Sequence, residues 1–120
     1  MNITRPLLER RTKNPIELGE TRVVASRFLH GVNGFIHGDE IVKELFRLTN
    51  SIFGTDVEVV RISDIDFLRK LRQGEWVGLV FRADHLEKHR LGNILTVSFF
   101  AKRISNGKSV FSGNFRIRLL

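Results

Sequence analysis

The second half of the chain alternates between hydrophobic and polar residues, which is the pattern of strands with one buried face. The alternation runs through 76–83, 94–103 and 109–119, and valine and isoleucine are concentrated between 57 and 65. An earlier apolar run at 21–29 indicates one strand before them. Polar or glycine-containing turns separate the late segments at 73–75, 91–93 and 105–108. The pattern therefore predicts one early strand and about four late antiparallel strands.

Between the early strand and the late ones, residues 39–53 have the spacing of a helix. Apolar residues at 41, 42, 45, 46, 48, 52 and 53 form a broad face, so we expect burial on more than one side. Asp39 is a candidate N-cap, and Gly54 is a candidate C-terminal stop. This helix is predicted to be the centre of the fold.

An antiparallel sheet of about five strands wrapped around one helix satisfies both patterns and predicts an α+β domain. Such a sheet leaves an open edge, which pairing in a dimer would cover. We predict that the domain spans residues 18–120. Residues 1–17, with both prolines and four basic residues, are predicted to form a mobile basic arm.

Composition narrows the function classes only partly. The chain has 120 residues, a net charge of +7 and no cysteine. The charge favours anionic partners, and the missing cysteine excludes disulfides, thiolate zinc sites and cysteine nucleophiles. No apolar stretch is long enough to span a membrane, and the four histidines show no metal-ligand spacing. We expect a cytoplasmic protein without a metal.

Three segments, in order, resemble the hotdog-fold acyl-CoA thioesterase and dehydratase superfamily. Asn-Gly-Phe-Ile-His-Gly-Asp-Glu-Ile at 33–41 resembles the opening of its central helix. Asp-Ile-Asp-Phe-Leu-Arg-Lys at 64–70, followed by Gly-Glu at 74–75, is similar to its Asp-x-x-Phe-x-Arg-Pro-x-x-x-Gly-Asp segment. Ser-Val-Phe-Ser-Gly-Asn-Phe at 109–115 resembles the last strand of the acyl-CoA-sensing hotdog domain in a bacterial lipid-synthesis repressor. The similarity spans roughly residues 21–118.

The resemblance implies a homodimer or a dimer of dimers, with a CoA or acyl-carrier thioester bound between protomers. No other cofactor is implied. The thioester arm would enter beside the start of the helix, where backbone N–H groups of Gly38 and Asp39 could hold its carbonyl. Alternatively, the glycines only shape the turn. The candidate ligand-binding residues are Asn33, Phe35, His37, Gly38, Asp39, Phe46, Phe67, Arg69, Lys88 and Arg90.

One departure from the thioesterase pattern bears on catalysis. Where that pattern places an Asp two turns into the helix, this chain has Phe46, which can neither activate water nor attack a thioester. In the repressor an Arg before the helix glycine grips malonate, whereas this chain has His37 there. We therefore predict an acyl-CoA-binding domain that is not catalytic, with no expectation of malonyl specificity.

Two catalytic alternatives remain open. A thioesterase could use His37 or Glu44 with water. A dehydratase could use His30 with Glu44, which follows fourteen residues later as in hotdog dehydratases, although the surrounding prolines of that pattern are missing. Glu44 lies two residues before Phe46, about 200° away around a helix, so it cannot simply replace the missing acid. It could instead belong to the polar helix face near Lys43 and Arg47.

Two basic patches are candidates for the phosphates of CoA. One is the turn at 88–93, with Lys88 and Arg90, and the other contains Arg69, Lys70 and Arg72. Either could instead be solvated surface. A basic nucleic-acid-binding module is a less favoured hypothesis, because the sequence contains no RNP-type motif, phosphate-binding loop or dinucleotide fingerprint.

Overall fold

The computed structural model describes residues 18–53 and 57–119. Its elements, in chain order, are β1 (Thr21–Arg27), α1 (Gly38–Phe53), β2 (Val57–Phe67), β3 (Trp76–Glu87), β4 (Asn93–Arg103) and β5 (Ser109–Leu119). This confirms the predicted early strand, single long helix and four late strands. The predicted arm at 1–17 and the predicted helix stop at Gly54 lie outside the described residues.

The five strands form one antiparallel sheet in the order β1-β3-β4-β5-β2. Consecutive strands β3, β4 and β5 are neighbours, while β2 crosses to the far side of β5. The two edges of the sheet are therefore β1 and β2. The helix packs across one face of this sheet, which we call the inner face, so the described residues form an α+β domain.

Aromatic side chains from β3, β4 and β5 fill the space between the inner face and α1. Phe81, Phe99, Phe111 and Phe115 are almost fully buried. The rings of Phe99 and Phe115 stack with centroids 5.8 Å apart, and Phe53 from the helix meets Phe115 edge-on at 6.4 Å. Burial of this apolar surface is the main force that holds helix and sheet together.

The helix buries one face only within the described chain, which corrects the expectation that it would be buried on more than one side. Its buried residues are Ile41, Leu45, Leu48, Thr49 and Phe53. Phe46, counted in the same broad apolar stripe, is 41% exposed. The reason is geometric, because one sheet covers only about half of a helix, and a stripe wider than that half extends past the contact.

The loop that leads into α1 contains a two-residue hairpin. Val32 and Phe35 exchange two backbone hydrogen bonds of 2.8 and 3.1 Å, with Asn33 and Gly34 between them at φ +55° and +82°. Two successive positive φ values define a type I′ turn, for which Asn-Gly is a preferred pair. The N–H of Ile36 then donates to the Leu71 carbonyl at 2.8 Å, which ties this loop to the β2–β3 connection.

The helix begins two residues earlier than the candidate N-cap Asp39 implied. The carbonyl of His37 accepts hydrogen bonds from Glu40 N–H at 3.1 Å and Ile41 N–H at 3.2 Å. His37 is thus the N-cap residue and Gly38 the first helical residue, so the prediction of Asp39 as N-cap was wrong. Asp39 lies in the first turn, where its negative charge still interacts favourably with the helix dipole.

Candidate functional site

One end of the domain gathers most of the residues predicted as ligand contacts. At this end α1 begins and β2 finishes, so the helix start and the β2–β3 connection are neighbours. A Cβ added at Gly38 would lie 3.1 Å from Cζ of Phe67, which shows that the Phe67 ring covers the start of the helix. The predicted residues found at this end are Asn33, Phe35, His37, Gly38, Asp39, Phe67 and Arg69.

A cleft of about 260 Å³ opens beside the helix N-terminus. Its lining includes His30, His37, Asp39 and Glu40. The first backbone N–H groups of a helix have no acceptor within the helix, and they point outward along its axis. The N–H groups of Gly38 and Asp39 can therefore donate to a carbonyl or an anion placed at this cleft.

Phe35 and Arg69 have contacts within the fold, whereas Asn33 occupies the turn of the hairpin. Asn33 has a φ of +55°, in the left-handed region, and it is exposed. The ring of Phe35 lies 5.0 Å from the Lys70 ammonium and 5.9 Å from the Arg72 guanidinium. Arg69 donates to the Ser109 carbonyl at 2.7 Å. The hairpin, the aromatic ring and the cations of the second basic patch therefore form one connected surface.

An apolar groove of about 330 Å³ runs between α1 and the edge strand β2. Phe46 lines it, one helical turn after Val42, so both side chains project from the same flank of the helix. The strand side of the groove consists of Val59, Val60, Arg61, Ile62 and Ile65. Among the described residues that form its walls there is no carboxylate. The groove can accept an apolar chain, but it presents no general base to a thioester.

Glu44 lies on the opposite flank of the helix, toward β1. Its carboxylate accepts a hydrogen bond from the buried Ser26 hydroxyl and two from Arg47, both at 2.7 Å. The Arg47 hydrogen bonds hold the pKa of Glu44 below its ordinary value, although partial burial opposes them. A carboxylate stabilised in its charged form is a weak base. The polar-face interpretation of Glu44 therefore matches its observed contact with Arg47.

His30 and Glu44, the pair with dehydratase spacing, line one cavity of about 390 Å³ on this β1 flank. The same cavity is lined by Arg27, Lys43 and Arg47, and of these cations Arg47 contacts the Glu44 carboxylate. The structure thus brings the pair to one cavity, separated by the helix from the Phe46 groove. Of the two catalytic candidates, His37 lies at the helix N-terminus and Glu44 does not.

Lys88 and Arg90 lie at the other end of the sheet, in the turn between β3 and β4. The strand register shows this separation, because Phe67 pairs with Phe111 at one end of β5 and Val57 pairs with Leu119 at the other. β2 has eleven residues, which at about 3.3 Å each separates the two ends by roughly 30 Å. A single chain therefore does not bring Lys88 and Arg90 to the start of its own helix.

A second groove, of about 390 Å³ and strongly basic, surrounds that turn. Arg90 lines it with two cations that the sequence analysis missed, Arg116 and Arg118. Arg116 pairs with Glu87 at 2.9 Å and Arg118 pairs with Glu58 at 2.5 Å. Arg116 and Arg118 alternate along β5, a signal that they share one sheet face, but their proximity to Arg90 required the strand order.

Among residues 18–53 and 57–119, no group of three or more His, Asp or Glu side chains is arranged to hold a metal ion. Within the same residues, no helix combines the length and the apolar character that crossing a membrane requires.

The sequence matches no protein-family profile and no curated protein. Solved structures are similar in fold. The R-hydratase PhaJ1 of Pseudomonas aeruginosa superposes with a TM-score of 0.71 at 14% identity, covering 87% of this chain and 82% of that chain. A hypothetical thioesterase of Streptococcus pneumoniae, solved with coenzyme A, gives 0.67 at 13% identity, covering 90% and 84%.

A third similar structure is the smu.793 protein of Streptococcus mutans bound to acetyl-CoA, with a TM-score of 0.64 at 17% identity. The superposition covers 88% of this chain and 86% of that chain. Similarity at such low identity establishes architecture and leaves activity open. The architecture is the one that the three sequence segments implied: this chain has the hotdog fold.

Proposed function

We propose that this protein is an acyl-CoA-binding domain that acts as a homodimer and does not hydrolyse its ligand. The observation that carries the proposal is the apolar groove at Phe46, where the resemblance to thioesterases requires a carboxylate and none lines the walls. Two structures of the same fold contain coenzyme A or acetyl-CoA, which supports this class of ligand. The absence of cysteine suits a reducing cytoplasm.

The thioester lies with its carbonyl at the helix N-terminus and its acyl chain along the groove. The Gly38 and Asp39 N–H groups donate to the carbonyl oxygen, and the Phe67 ring covers this point. From there the acyl chain passes Ile65 and Ile62 toward Phe46. Its stabilisation comes from removal of apolar surface from water, about 0.8 kcal/mol per buried methylene.

The homodimer forms along the free edge of β2. An unpaired edge exposes backbone N–H and C=O groups that a second copy can satisfy. Two-fold symmetry makes the two β2 strands antiparallel, so Arg61 in the first half of one strand approaches the acidic second half of the other, where Asp64 and Asp66 lie. The groove at Phe46 borders this edge and would be closed by the partner.

The same symmetry accounts for the two separated basic patches. Antiparallel pairing of β2 brings the β3–β4 turn of one protomer toward the helix start of the other. The nucleotide phosphates would then meet Arg69, Lys70 and Arg72 of one protomer together with Arg90 of the partner subunit. Each CoA is thus held by both chains, which agrees with a ligand bound between protomers.

Calorimetric titration with acyl-CoAs of increasing chain length, together with an assay for released CoA thiol, tests the proposal. We expect saturable binding that tightens with chain length, and no thiol release above the uncatalysed rate. A folded protein with no saturable site would contradict acyl-CoA binding. Thiol release that His37→Ala or Glu44→Ala abolishes would instead identify a thioesterase.

A further inference from the structure

The second groove, at the β3–β4 turn, combines basic and apolar lining. Four of the residues that line it are basic: His89, Arg90, Arg116 and Arg118. The others are apolar, and no carboxylate among the described residues lines the groove. A concave surface with this lining attracts an anion that also carries apolar surface.

The fold holds two of these arginines against the turn. Arg116 and Arg118 lie two residues apart on the face of β5 opposite the helix, and each side chain is 33% exposed. A Cβ added at Gly92 would lie 3.0 Å from Cγ of Arg118, so the stem of Arg118 packs on this glycine. Arg90 forms no ion pair with a carboxylate of residues 18–53 or 57–119. The groove therefore has two positioned arginines and one whose charge is not neutralised.

One carboxylate, that of Glu87, contacts three nitrogen donors beside the groove. Its Oε1 accepts a hydrogen bond from Arg116 at 2.9 Å and lies 3.1 Å from Nε2 of His89. Its Oε2 lies 3.8 Å from Nε2 of His85. Arg116 and His89 therefore share one oxygen, and a change of charge on either histidine alters what Glu87 offers to Arg116.

The other carboxylates on this part of the sheet are already paired. Glu58 on β2 pairs with Arg118 at 2.5 Å, and Asp84 on β3 contacts Arg82. The remaining charged side chains around the cluster are cations of the turn and of β2, namely Lys88, Arg90 and Arg61. Positive charge added at the histidines is thus balanced within the described residues by Glu87 only.

Histidine is the side chain whose charge ordinarily changes between pH 5 and pH 8. The hydrogen bond with His89 lowers the pKa of Glu87 below its ordinary value, slight desolvation opposes this, and the charge of Arg116 adds to the lowering. Glu87 therefore stays ionised in this range while His85 and His89 gain protons. The cluster of these four residues changes from neutral to positively charged as the pH falls.

We propose that the second groove binds an organic phosphate or another divalent oxyanion, and that protonation of His85 and His89 strengthens this binding. Neutral histidines leave Arg116 paired with Glu87. Charged histidines donate to Glu87 in its place, and Arg116 then pairs with the anion in the groove that it lines. The groove shares only Val60 with the groove at Phe46, so the proposal does not depend on where an acyl chain binds.

Sulfate is the probe, because it stays divalent between pH 8 and pH 5.5, whereas phosphate groups titrate in that range. Titration of the full chain at low ionic strength, followed by NMR of the arginine Nε–H signals, measures the affinity. We expect binding about fivefold tighter at pH 5.5 than at pH 8, with the signals of Arg90, Arg116 and Arg118 shifted most. Equal affinity at both pH values would overturn control by the histidines, and unshifted signals of these three arginines would overturn the site.

A pair of double variants identifies the histidines responsible. His85→Gln with His89→Gln removes both titrating groups, so sulfate should still bind but with the same affinity at both pH values. His30→Gln with His37→Gln is the matched control at the helix N-terminus and should keep the full pH dependence. The reverse result would place the anion at the start of the helix and would overturn the proposal.

An arginine variant tests the groove itself. Arg116→Gln should weaken sulfate binding at pH 5.5 about fivefold or more, because it removes one of the charged donors. Arg82→Gln, on the same sheet face but outside the groove, is the control and should bind as the wild type does. Circular dichroism verifies that both variants are folded. Equal affinity of the two variants would contradict a role for Arg116.

Acyl-CoA added to the sulfate complex distinguishes two sources of the anion. Displacement of sulfate would assign the groove to the phosphates of CoA, and retention of sulfate would assign it to a separate organic phosphate. Sulfate binding in a protein that does not bind acyl-CoA would contradict only the proposed function. Acyl-CoA binding without a sulfate site would contradict only the present inference.

Discussion

The two flanks of α1 differ in how completely the chain itself satisfies them. On the β1 flank, Glu44 is paired with both Ser26 and Arg47, so its charge and its hydrogen-bonding capacity are already used. On the β2 flank, Phe46 lies over an apolar groove and remains 41% exposed. The carboxylate of Glu44 thus lies on the flank without the apolar groove. At the groove, where a thioesterase would need a carboxylate, the chain has Phe46.

This contrast teaches where to look for a ligand. The polar flank gains little from a new partner, because its groups would exchange one set of charged contacts for another. The apolar flank gains free energy from any chain that displaces water from it. The contacts of Glu44 with Ser26 and Arg47 lie within the fold, whereas Phe46 marks the proposed acyl site.

The largest expected effect is a loss of stability when the buried contact between α1 and the sheet, which supports both flanks, is weakened. Leu45 lies between them on the buried face and is 1% exposed. Leu45→Ala would remove core contacts and leave a cavity, at a cost of about 2–5 kcal/mol in the free energy of unfolding. Urea denaturation monitored by circular dichroism measures it, with Leu91→Ala, at a position 84% exposed, as the control of the same type. Equal losses for both variants would contradict the assigned core.

A carboxylate introduced on the apolar flank should weaken binding of the acyl chain without unfolding the protein. Phe46→Asp would reduce affinity for a long-chain acyl-CoA by roughly tenfold or more, because an acyl chain would desolvate the new charge. Calorimetry measures the change, and Phe100→Asp, outside the groove, should bind as the wild type does. If both variants bind equally, the acyl chain does not lie along the groove.

Substitution of Glu44 on the polar flank should lower the free energy of unfolding and leave acyl-CoA affinity nearly unchanged. Glu44→Ala would leave the buried Ser26 hydroxyl without its acceptor and would cost about 1–2 kcal/mol of unfolding free energy. Glu44→Gln keeps an acceptor for Ser26 and should cost less. Acyl-CoA affinity should stay within about twofold in both variants. A large loss of affinity with little loss of stability would show that Glu44 contacts the ligand.

The smallest effect is a pH dependence confined to the polar flank. The pKa of Glu44 is lowered in the folded state, first by its Arg47 hydrogen bonds and then by the Ser26 hydrogen bond. Its carboxylate therefore stabilises the fold above the unfolded-state pKa, and this contribution is lost as pH falls through the folded-state pKa. The stability difference between wild type and Glu44→Gln should shrink from pH 7 toward pH 3. A difference that grows toward acid would give the wrong sign.

Much of the fold was predictable because its signals are local. Alternation in 76–83 and 109–119 indicated strands, and the helical spacing of 39–53 indicated α1, since both depend on neighbours along the chain. The width of the helical stripe predicts burial on more than one side, which is wrong for the single chain, where one face is buried. Exposed Phe46 belongs to that stripe, so the excess apolar width marks a groove rather than more core.

The candidate site was less predictable, because it combines residues that are distant in sequence. The sequence alone determined that Phe46 and Glu44 project from opposite flanks, and that no cysteine can act. Only the tertiary structure decided which strand each flank faces, that Arg116 and Arg118 join Arg90, and that Lys88 lies far from its own helix start. Helical geometry is set by residues a few positions apart. The contacts between distant residues depend instead on the strand order, including the crossover that places β2 beyond β5.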